Sequence, residues 1–217
     1  HGSHGILMEL MQFVPSEDPI KISLLILQND SGRSRRLSVT AYAEWVLGSS
    51  RSASAPYIIT EVDAQTGALL ARSAWGGEFG GRIAFADLAG LQTSWTGDRA
   101  EFLGRNGTPE RPAALERGVP LSGTVGAGLD PCAALQTSVE LPPGARAEIV
   151  WFLGQTDNRE HVRELLGRYR GADLNGVLRD VTGRWDDVLG AVQVTTPDRA
   201  MDVLLNRWLL YQTLACR

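Results

Sequence analysis

The spacing of apolar residues changes once along this chain, and this change constrains the fold more than any other feature. Between residues 37 and 47 every odd position is apolar, whereas the even positions include Ser38, Thr40 and Glu44. Such alternation is typical of a strand with one buried face. After Asp157 the apolar residues recur at helical spacing instead. The sequence therefore predicts strands over residues 20–155 and helices over residues 157–216.

Turn sequences divide the first part of the chain into short strands. The predicted strands span residues 20–28, 37–47, 57–63, 68–73, 82–87, 92–95, 99–103, 135–141 and 145–153. Turns at residues 29–32, 64–67 and 142–144 each predict a β-hairpin. Trp45 and Trp151 lie in registers that predict burial between two sheets. Residues 104–131 are rich in Gly and Pro without periodicity, which predicts a long ordered loop.

Three helices are predicted after the strands. Asp157 can cap the first, with Glu160 three places later. Its buried face is predicted to carry Val162, Leu165, Leu166 and Tyr169. The second has one apolar stripe over residues 174–189. The third begins at Thr196-Pro197 and is apolar around nearly its whole circumference, so we expect it to be buried on all sides. It reaches residue 217 without a stop signal, so we expect the natural polypeptide to continue.

Charge and apolar content limit the classes of partner. The chain has 21 basic and 25 acidic residues, a net charge of −4. Proteins that bind nucleic acid through phosphate contacts normally carry a basic excess, so nucleic acid is not an expected partner. No apolar run approaches the ~20 residues that span a bilayer, and we expect a soluble chain without a membrane segment. Cys132 and Cys216 indicate neither a disulfide framework nor a zinc site. Residues 1–5 resemble a purification-tag remnant.

Three residues are candidates for contact with a sugar. Trp75, which precedes Gly76-Gly77, could stack on a sugar ring, and the alternative is core packing. The Gly-rich run over residues 75–81 is interpreted as a flexible turn. Arg105 and Asn106 could form paired hydrogen bonds with vicinal hydroxyls or an anion. The alternative interpretation is that both residues belong to a surface turn and that Arg105 is an ion-pair partner.

No residue set in the sequence indicates catalysis or a metal ion. A glycosidase needs two carboxyl groups about 5–5.5 Å apart if retaining, or about 6.5–9.5 Å apart if inverting. Asp98 and Glu101 would point to opposite faces of a strand, and Asp186-Asp187 would be solvated on a helix. The one histidine outside the tag-like segment, His161, lacks partners for a metal cluster or a Ser/His pair. We therefore predict no catalytic residue, no metal ligand and no cofactor.

Several separate segments, taken in order, resemble glycoside hydrolase family 94. They are LSVTAYAEWVLG at 37–48, EFLGRNG at 101–107, GLDPCAAL at 128–135, FLGQ at 152–155, TPDRA at 196–200 and NRWLLYQ at 206–212. The resemblance covers residues 6–217. Within the family it is closest to the phosphorylase-like region of cyclic β-1,2-glucan synthetases.

The resemblance implies a mainly β fold, a large two-sheet antiparallel sandwich of the galactose mutarotase-like kind. The sandwich would span residues 6–155, and a helical linker over residues 156–217 would lead into an (α/α)6 barrel. It also implies a parent enzyme that is a glycosyltransferase or glycoside phosphorylase with inorganic phosphate as co-substrate. The catalytic acid and the phosphate site would lie in the barrel. A homodimer and a bacterial inner-membrane parent with this region in the cytoplasm are further expectations.

The sequence thus favours a non-catalytic sandwich fragment of an enzyme that acts on β-1,2-glucans. A freestanding carbohydrate-binding sandwich module and a structural assembly domain are the alternatives. The apolar third helix favours the fragment, because a freestanding module has no reason to carry it.

Overall fold

The computed structural model describes residues 1–77 and 80–216 and divides the chain into two compact units. The first, His1–Gly171, is mainly β, and the second, Ala172–Arg217, is helical. Among the residues described, no helix has both the length and the apolar character needed to cross a membrane.

The first unit consists of two antiparallel sheets with short helices between some strands. The strands are β1 Gly2–Ser3, β2 Ile6–Phe13, β3 Ile20–Asn29, β4 Arg35–Glu44, β5 Ile58–Val62, β6 Leu69–Ser73, β7 Ile83–Asp87, β8 Ser94–Asp98, β9 Pro131–Leu141 and β10 Arg146–Thr156. One sheet has the order β1-β2-β3-β10-β7-β6-β5, and the other has the order β4-β9-β8. This arrangement confirms the predicted mainly β, two-sheet architecture. The tag-like segment contributes β1, which pairs with β2.

The helices of the first unit are short except for the last one. They are α1 Arg51–Ser54, α2 Arg99–Leu103, α3 Ala113–Arg117 and α4 Arg159–Arg170, and a 3₁₀ turn at Ala55–Tyr57 follows α1.

The main hydrophobic core lies between the two sheets. It consists of side chains from every second residue along the strands. It includes Leu27, Ala41, Trp45, Leu69, Ala71, Ala84, Ala86, Ala133, Leu135 and Ile149. Trp45 is buried, as predicted. Trp151 is only partly buried and packs against this cluster, so the prediction of its burial holds in part.

Two of the three predicted hairpins are wrong, because the chain changes sheet at both turns. β3 pairs with β2 and β10, whereas β4 pairs with β9. The turn at residues 142–144 likewise joins β9 and β10, which belong to different sheets. Asn29 connects the two corners, since its side-chain amide donates to Leu141 O at 2.8 Å and its backbone carbonyl accepts from Gly144 N at 2.8 Å. The β5–β6 hairpin is confirmed.

The region after β8 also differs from its prediction. Residues 99–103 form helix α2 rather than a strand, because the Asp98 side chain accepts a hydrogen bond from Ala100 N at 2.9 Å and caps the helix. The predicted loop at residues 104–131 contains α3.

The segment before β9 connects the open edges of the two sheets. Gly97 N in β8 donates to Thr124 O at 2.7 Å, and Thr60 N in β5 donates to Gly126 O at 3.0 Å. The edges come so close that a Cβ at Gly97 would lie 2.5 Å from Thr60 Oγ1. The segment therefore satisfies backbone groups that an unprotected edge would expose.

Helix α4 packs on β7 and β10 and belongs to the first unit. Its predicted inner face is buried. Arg163 pairs with Asp63 at 2.7 Å, and Arg170 pairs with Asp87 at 2.7 Å. These contacts extend the compact unit past residue 155, the predicted end of the sandwich domain.

The cap of α4 is Asn158 rather than Asp157. The helix begins at Arg159, so Asn158 holds the position from which a side chain reaches a free N–H group. Its Oδ1 accepts from His161 N at 2.8 Å.

The second unit contains α5 Leu174–Gly190, α6 Arg199–Val203 and α7 Leu209–Ala215. The predicted continuous third helix is wrong, because Asn206 and Arg207 have non-helical backbone angles. The Asn206 amide bonds both the N–H and the carbonyl of Val194, each at 2.7 Å, and such contacts compete with helical hydrogen bonds. Much of this segment is exposed in the single chain, and its burial on all sides stays a prediction. Met201, Val203, Leu204, Trp208, Leu209 and Leu214 are exposed.

Candidate functional site: a cleft beside Trp75

A cleft of about 630 Å³ lies where β6 and β10 end and β7 begins, and the residues after β4 form its other wall. The strand register explains its floor. Ala71 pairs with Ala84, and Ala84 pairs with Gln155. Because side chains two residues apart share a face, Ser73 and Gln155 continue the core-facing rows of β6 and β10. The cleft therefore opens at the end of the inter-sheet space, where small and polar residues replace the apolar core.

Trp75 lies at this cleft with its ring largely in solvent. Its relative exposure is 78%, which excludes the core-packing alternative. The ring lies 6.0 Å from that of Tyr57, with an angle of 31° between the planes. Ala74 N donates to Tyr57 O at 2.8 Å, and Trp75 N donates to Ser73 Oγ at 3.3 Å. These contacts hold Trp75 in place, and stacking on a sugar remains a prediction.

Glycines follow Trp75 and leave the adjacent backbone uncovered. Gly76 and Gly77 line the cleft, and Gly77 has a positive φ of 52°. Gly80 N donates to Gly77 O at 3.1 Å. Glu78 and Phe79, which belong to the predicted flexible turn at residues 75–81, lie outside the described residues.

Polar groups of the cleft come from three separate parts of the chain. Ser49 follows β4, Arg82 precedes β7, and Gln155 is near the end of β10. Sequence reasoning did not select them. Gln155 could have been found from the sequence. It continues the alternating row of Ile149, Trp151 and Leu153 and is the first polar residue in that row. Ser49 and Arg82 carry no such signal.

Arg105 and Asn106 are elsewhere, in the turn that follows α2. Both are exposed, and neither lines the cleft beside Trp75. Gly107 N donates to Gly104 O at 3.2 Å, and a Cβ at Gly107 would lie 1.7 Å from Leu103 O. Glycine is therefore required to form this turn. The structure does not bring the three predicted site residues together.

Two carboxylates of the first unit, Asp63 and Glu101, are held as anions by their hydrogen-bond donors. Hydrogen bonds from Arg163 lower the pKa of Asp63 to about 2, although burial opposes ionisation and the side chain has no exposed surface. Burial also opposes ionisation of Glu101, but hydrogen bonds from Thr96 Oγ1 at 2.6 Å and Ser122 Oγ at 2.7 Å outweigh it and lower the pKa. Each of these groups has a structural partner.

A further group of charges stabilises the helices beside β4. Arg99 contacts Glu44 at 2.7 Å and Asp130 at 3.4 Å, and Arg51 contacts the same two carboxylates. Tyr42 also donates to Glu44 at 2.8 Å. Burial opposes ionisation of Glu44, but these partners outweigh it and lower its pKa. The four charges compensate one another at the starts of α1, α2 and β9.

The carboxylates of Asp98 and Glu101 each have a partner within the fold. Asp98 caps α2, and Glu101 is bound by Thr96 and Ser122, so neither forms part of a free acid pair. Within residues 1–77 and 80–216, no group of three or more His, Cys, Asp or Glu side chains is placed to hold a metal ion.

Comparisons with known proteins agree with the sandwich architecture. Residues 1–172 match the family described as "Glycosyl hydrolase 94, supersandwich domain". Cyclic beta-(1,2)-glucan synthase NdvB of Rhizobium meliloti (strain 1021) is 38% identical over 97% of this chain, which covers 7% of that protein. Solabiose phosphorylase of Paenibacillus borealis is 28% identical over 98% of this chain and 28% of its own length.

A third relative is N,N'-diacetylchitobiose phosphorylase of Vibrio proteolyticus, which is 29% identical over 57% of this chain and 15% of its own length. The chain thus spans less than a third of each of these relatives. The family match covers most of the chain, and the two sheets supply the corresponding architecture. The chain therefore belongs to glycoside hydrolase family 94, and its first 172 residues match the supersandwich domain of that family.

Proposed function

We propose that this chain is a non-catalytic part of a glycosyltransferase or glycoside phosphorylase that acts on β-1,2-glucans. One observation carries the proposal: 38% identity over 97% of the chain to a protein named cyclic beta-(1,2)-glucan synthase, of which the matched region is 7%. So small a share supports the role of a part that acts with other domains.

The chemistry of the carboxyl groups supports the absence of catalysis. Cleavage of a glycosidic bond needs a carboxylic acid that stays protonated near neutral pH, and this requires a raised pKa. Among the described residues, every carboxyl group whose pKa departs clearly from its ordinary value has a lowered one, and all but Glu110 and Asp173 lie in well-bonded positions of the sandwich.

In the proposed parent enzyme, the acid belongs to an (α/α)6 barrel elsewhere in the same polypeptide. It protonates the glycosidic oxygen while inorganic phosphate attacks the anomeric carbon with inversion. The sandwich supports the barrel and forms the rim of its active site. The parent is proposed to be a bacterial inner-membrane protein with this region in the cytoplasm.

Measuring glucose 1-phosphate released from a β-1,2-glucan in the presence of phosphate tests the proposal. We expect release by the parent protein and none by this chain alone. We also expect the parent to lose activity when the sandwich is deleted. Glucose 1-phosphate from the purified chain would overturn the non-catalytic role, and a parent active only on other glucan linkages would overturn the substrate class.

A second candidate function is that of a freestanding carbohydrate-binding module. The exposed Trp75 beside a polar cleft favours it. Titration calorimetry separates the two, because a freestanding module should bind a glucan with micromolar affinity. A rim that is open to solvent should bind weakly or undetectably, since tight binding needs an enclosed pocket.

A further inference from the structure

We infer that the cleft beside Trp75 is a weak subsite for a gluco-oligosaccharide. One glucose ring would stack on the Trp75 indole, and its hydroxyl groups would meet the polar side chains of the cleft. The choice of glucose rests on the proposed function, whereas the stacking geometry rests on the structure.

The first argument is the position of the indole. A tryptophan is among the most costly side chains to leave in water, and Trp75 is the most exposed large apolar residue among those described. Its backbone N–H is bound by Ser73, and its ring lies beside Tyr57. The ring is therefore a preorganised flat surface, and a ligand that covers it does not bear the cost of ordering it.

The second argument is the chemistry of the lining. Hydroxyl and amide groups of Ser49, Ser73 and Gln155 can both donate and accept hydrogen bonds, as sugar hydroxyls do. Arg82 is the single charged side chain among the described lining residues. A neutral ligand with many hydroxyl groups and one apolar face fits this combination better than an anion or an acidic peptide.

The third argument is size and openness. The volume of about 630 Å³ lies within the range of small-molecule sites, roughly 300–1,000 Å³. Gly76 and Gly77 line one wall without side chains, so a ring can approach the backbone there. Because the cleft is open, we expect a dissociation constant in the millimolar range.

Titration of the ¹⁵N-labelled chain with β-1,2-gluco-oligosaccharides, followed by two-dimensional NMR, tests the inference. The indole N–H signal of Trp75 is identified as the one missing from Trp75→Ala. We expect this signal to shift saturably. Trp75→Ala should weaken binding at least about 10-fold, and Gln155→Ala should weaken it by about 3-fold, in line with one lost hydrogen bond.

Trp185→Ala is the matched control, because Trp185 is also partly exposed but lies in the second unit. It should leave the affinity unchanged. Unchanged amide signals of the strands show that each variant is folded. Absence of a Trp75 shift at ligand concentrations on the order of 10 mM, or equal affinity in Trp75→Ala, would overturn the inference.

A parallel titration with β-1,4-gluco-oligosaccharides separates this inference from the proposed function. Binding that depends on Trp75 but favours the β-1,4 linkage supports a glucose subsite and contradicts the proposed β-1,2 substrate class. Binding of neither oligosaccharide overturns the subsite, and the glucose 1-phosphate assay then decides the proposed function independently.

Discussion

The second unit of this chain has a higher proportion of apolar residues than the first, but it buries far fewer of them. In the first unit two sheets face each other, and most strands bury an apolar row between them. In the second unit Leu189 is the one buried hydrophobic residue among those described, and Trp208, Leu209 and Leu214 are exposed. A sheet buries its apolar face against a second layer, whereas short successive helices have too little surface to cover one another.

The ion pairs of the two units differ in the same way. In the first unit Asp63 is fully buried against Arg163. In the second unit Arg179 and Asp173 form a pair in which the side chains are 71% and 68% exposed. We therefore expect charge pairs to matter to stability where packing has already removed water, and matched variants test this expectation.

The largest expected effect is that of breaking the buried pair. Arg163→Ala removes the guanidinium that hydrogen-bonds the buried Asp63 carboxylate and leaves it the longer ion pair with Arg159, at 3.9 Å. We expect the free energy of unfolding to fall by about 3 kcal/mol. The exposed pair is the control, since Arg179→Ala should cost less than about 1 kcal/mol. Urea denaturation of the two variants measures both values. Equal losses would contradict the difference between the units.

A pair of glycine substitutions should change stability in opposite directions. A Cβ at Gly154 would lie 2.5 Å from Pro19 O and 2.6 Å from the Phe85 ring, so Gly154→Ala should destabilise the sandwich by about 2–3 kcal/mol. A Cβ at Gly183 in α5 would meet nothing within 4 Å. Gly183→Ala should therefore stabilise its helix by about 0.5–1 kcal/mol. Thermal denaturation followed by circular dichroism measures the stability of both variants. A Gly154→Ala variant as stable as the unchanged chain would show that the sheet and the segment at Pro19 can move apart.

Acidification should weaken the first unit through Asp63. Its pKa is about 2 in the folded chain and about 3.9 when unfolded, so it stabilises the fold above pH ~4. That contribution, about 2–3 kcal/mol, is lost progressively as the pH falls from about 5 to below 2. Urea denaturation from pH 7 to pH 2 measures the loss. Asp63→Asn removes the titrating group, so a pH dependence identical to that of the unchanged chain would contradict the assignment.

The smallest expected change in stability concerns the second unit. Leu209→Ser and Leu214→Ser should each cost less than about 1 kcal/mol, because both side chains already contact water. Their effect should appear in association instead. Light scattering should show concentration-dependent self-association of the chain, reduced in the double variant. A chain that stays monomeric at every concentration would contradict association through this apolar surface.

The sequence identified part of the candidate site. Trp75 stood out because it ends a strand and precedes two glycines, and the structure places it at the cleft. Gln155, Ser49 and Arg82 join it from positions far apart in the chain, and no local pattern relates them. Arg105 and Asn106 had equally suitable chemistry, but the turn at Gly107 holds them in another place.

The sequence by itself determined the change from strands to helices along the chain and one of the three predicted hairpins. Period-two alternation fixed β4, and helical spacing fixed the buried face of α4, because each depends only on which face of an element avoids water. The β5–β6 hairpin was also predictable. Its turn is closed by neighbouring residues, since Thr66 N donates to Asp63 at 3.0 Å and Gly67 has a positive φ of 73°.

The tertiary structure decided which strands share a sheet. β3 and β4, like β9 and β10, have the turn sequences of hairpins, but β3 pairs with β10 and β4 pairs with β9, which lie far away in the chain. Asn29 and Gly144 hold the two corners together, and this contact forms only when both are in place. Alternation predicts that a strand has an inner face, but it does not predict which strand lies beside it. Pairing, the cleft and the burial of Asp63 therefore depend on long-range contacts, which require the folded chain.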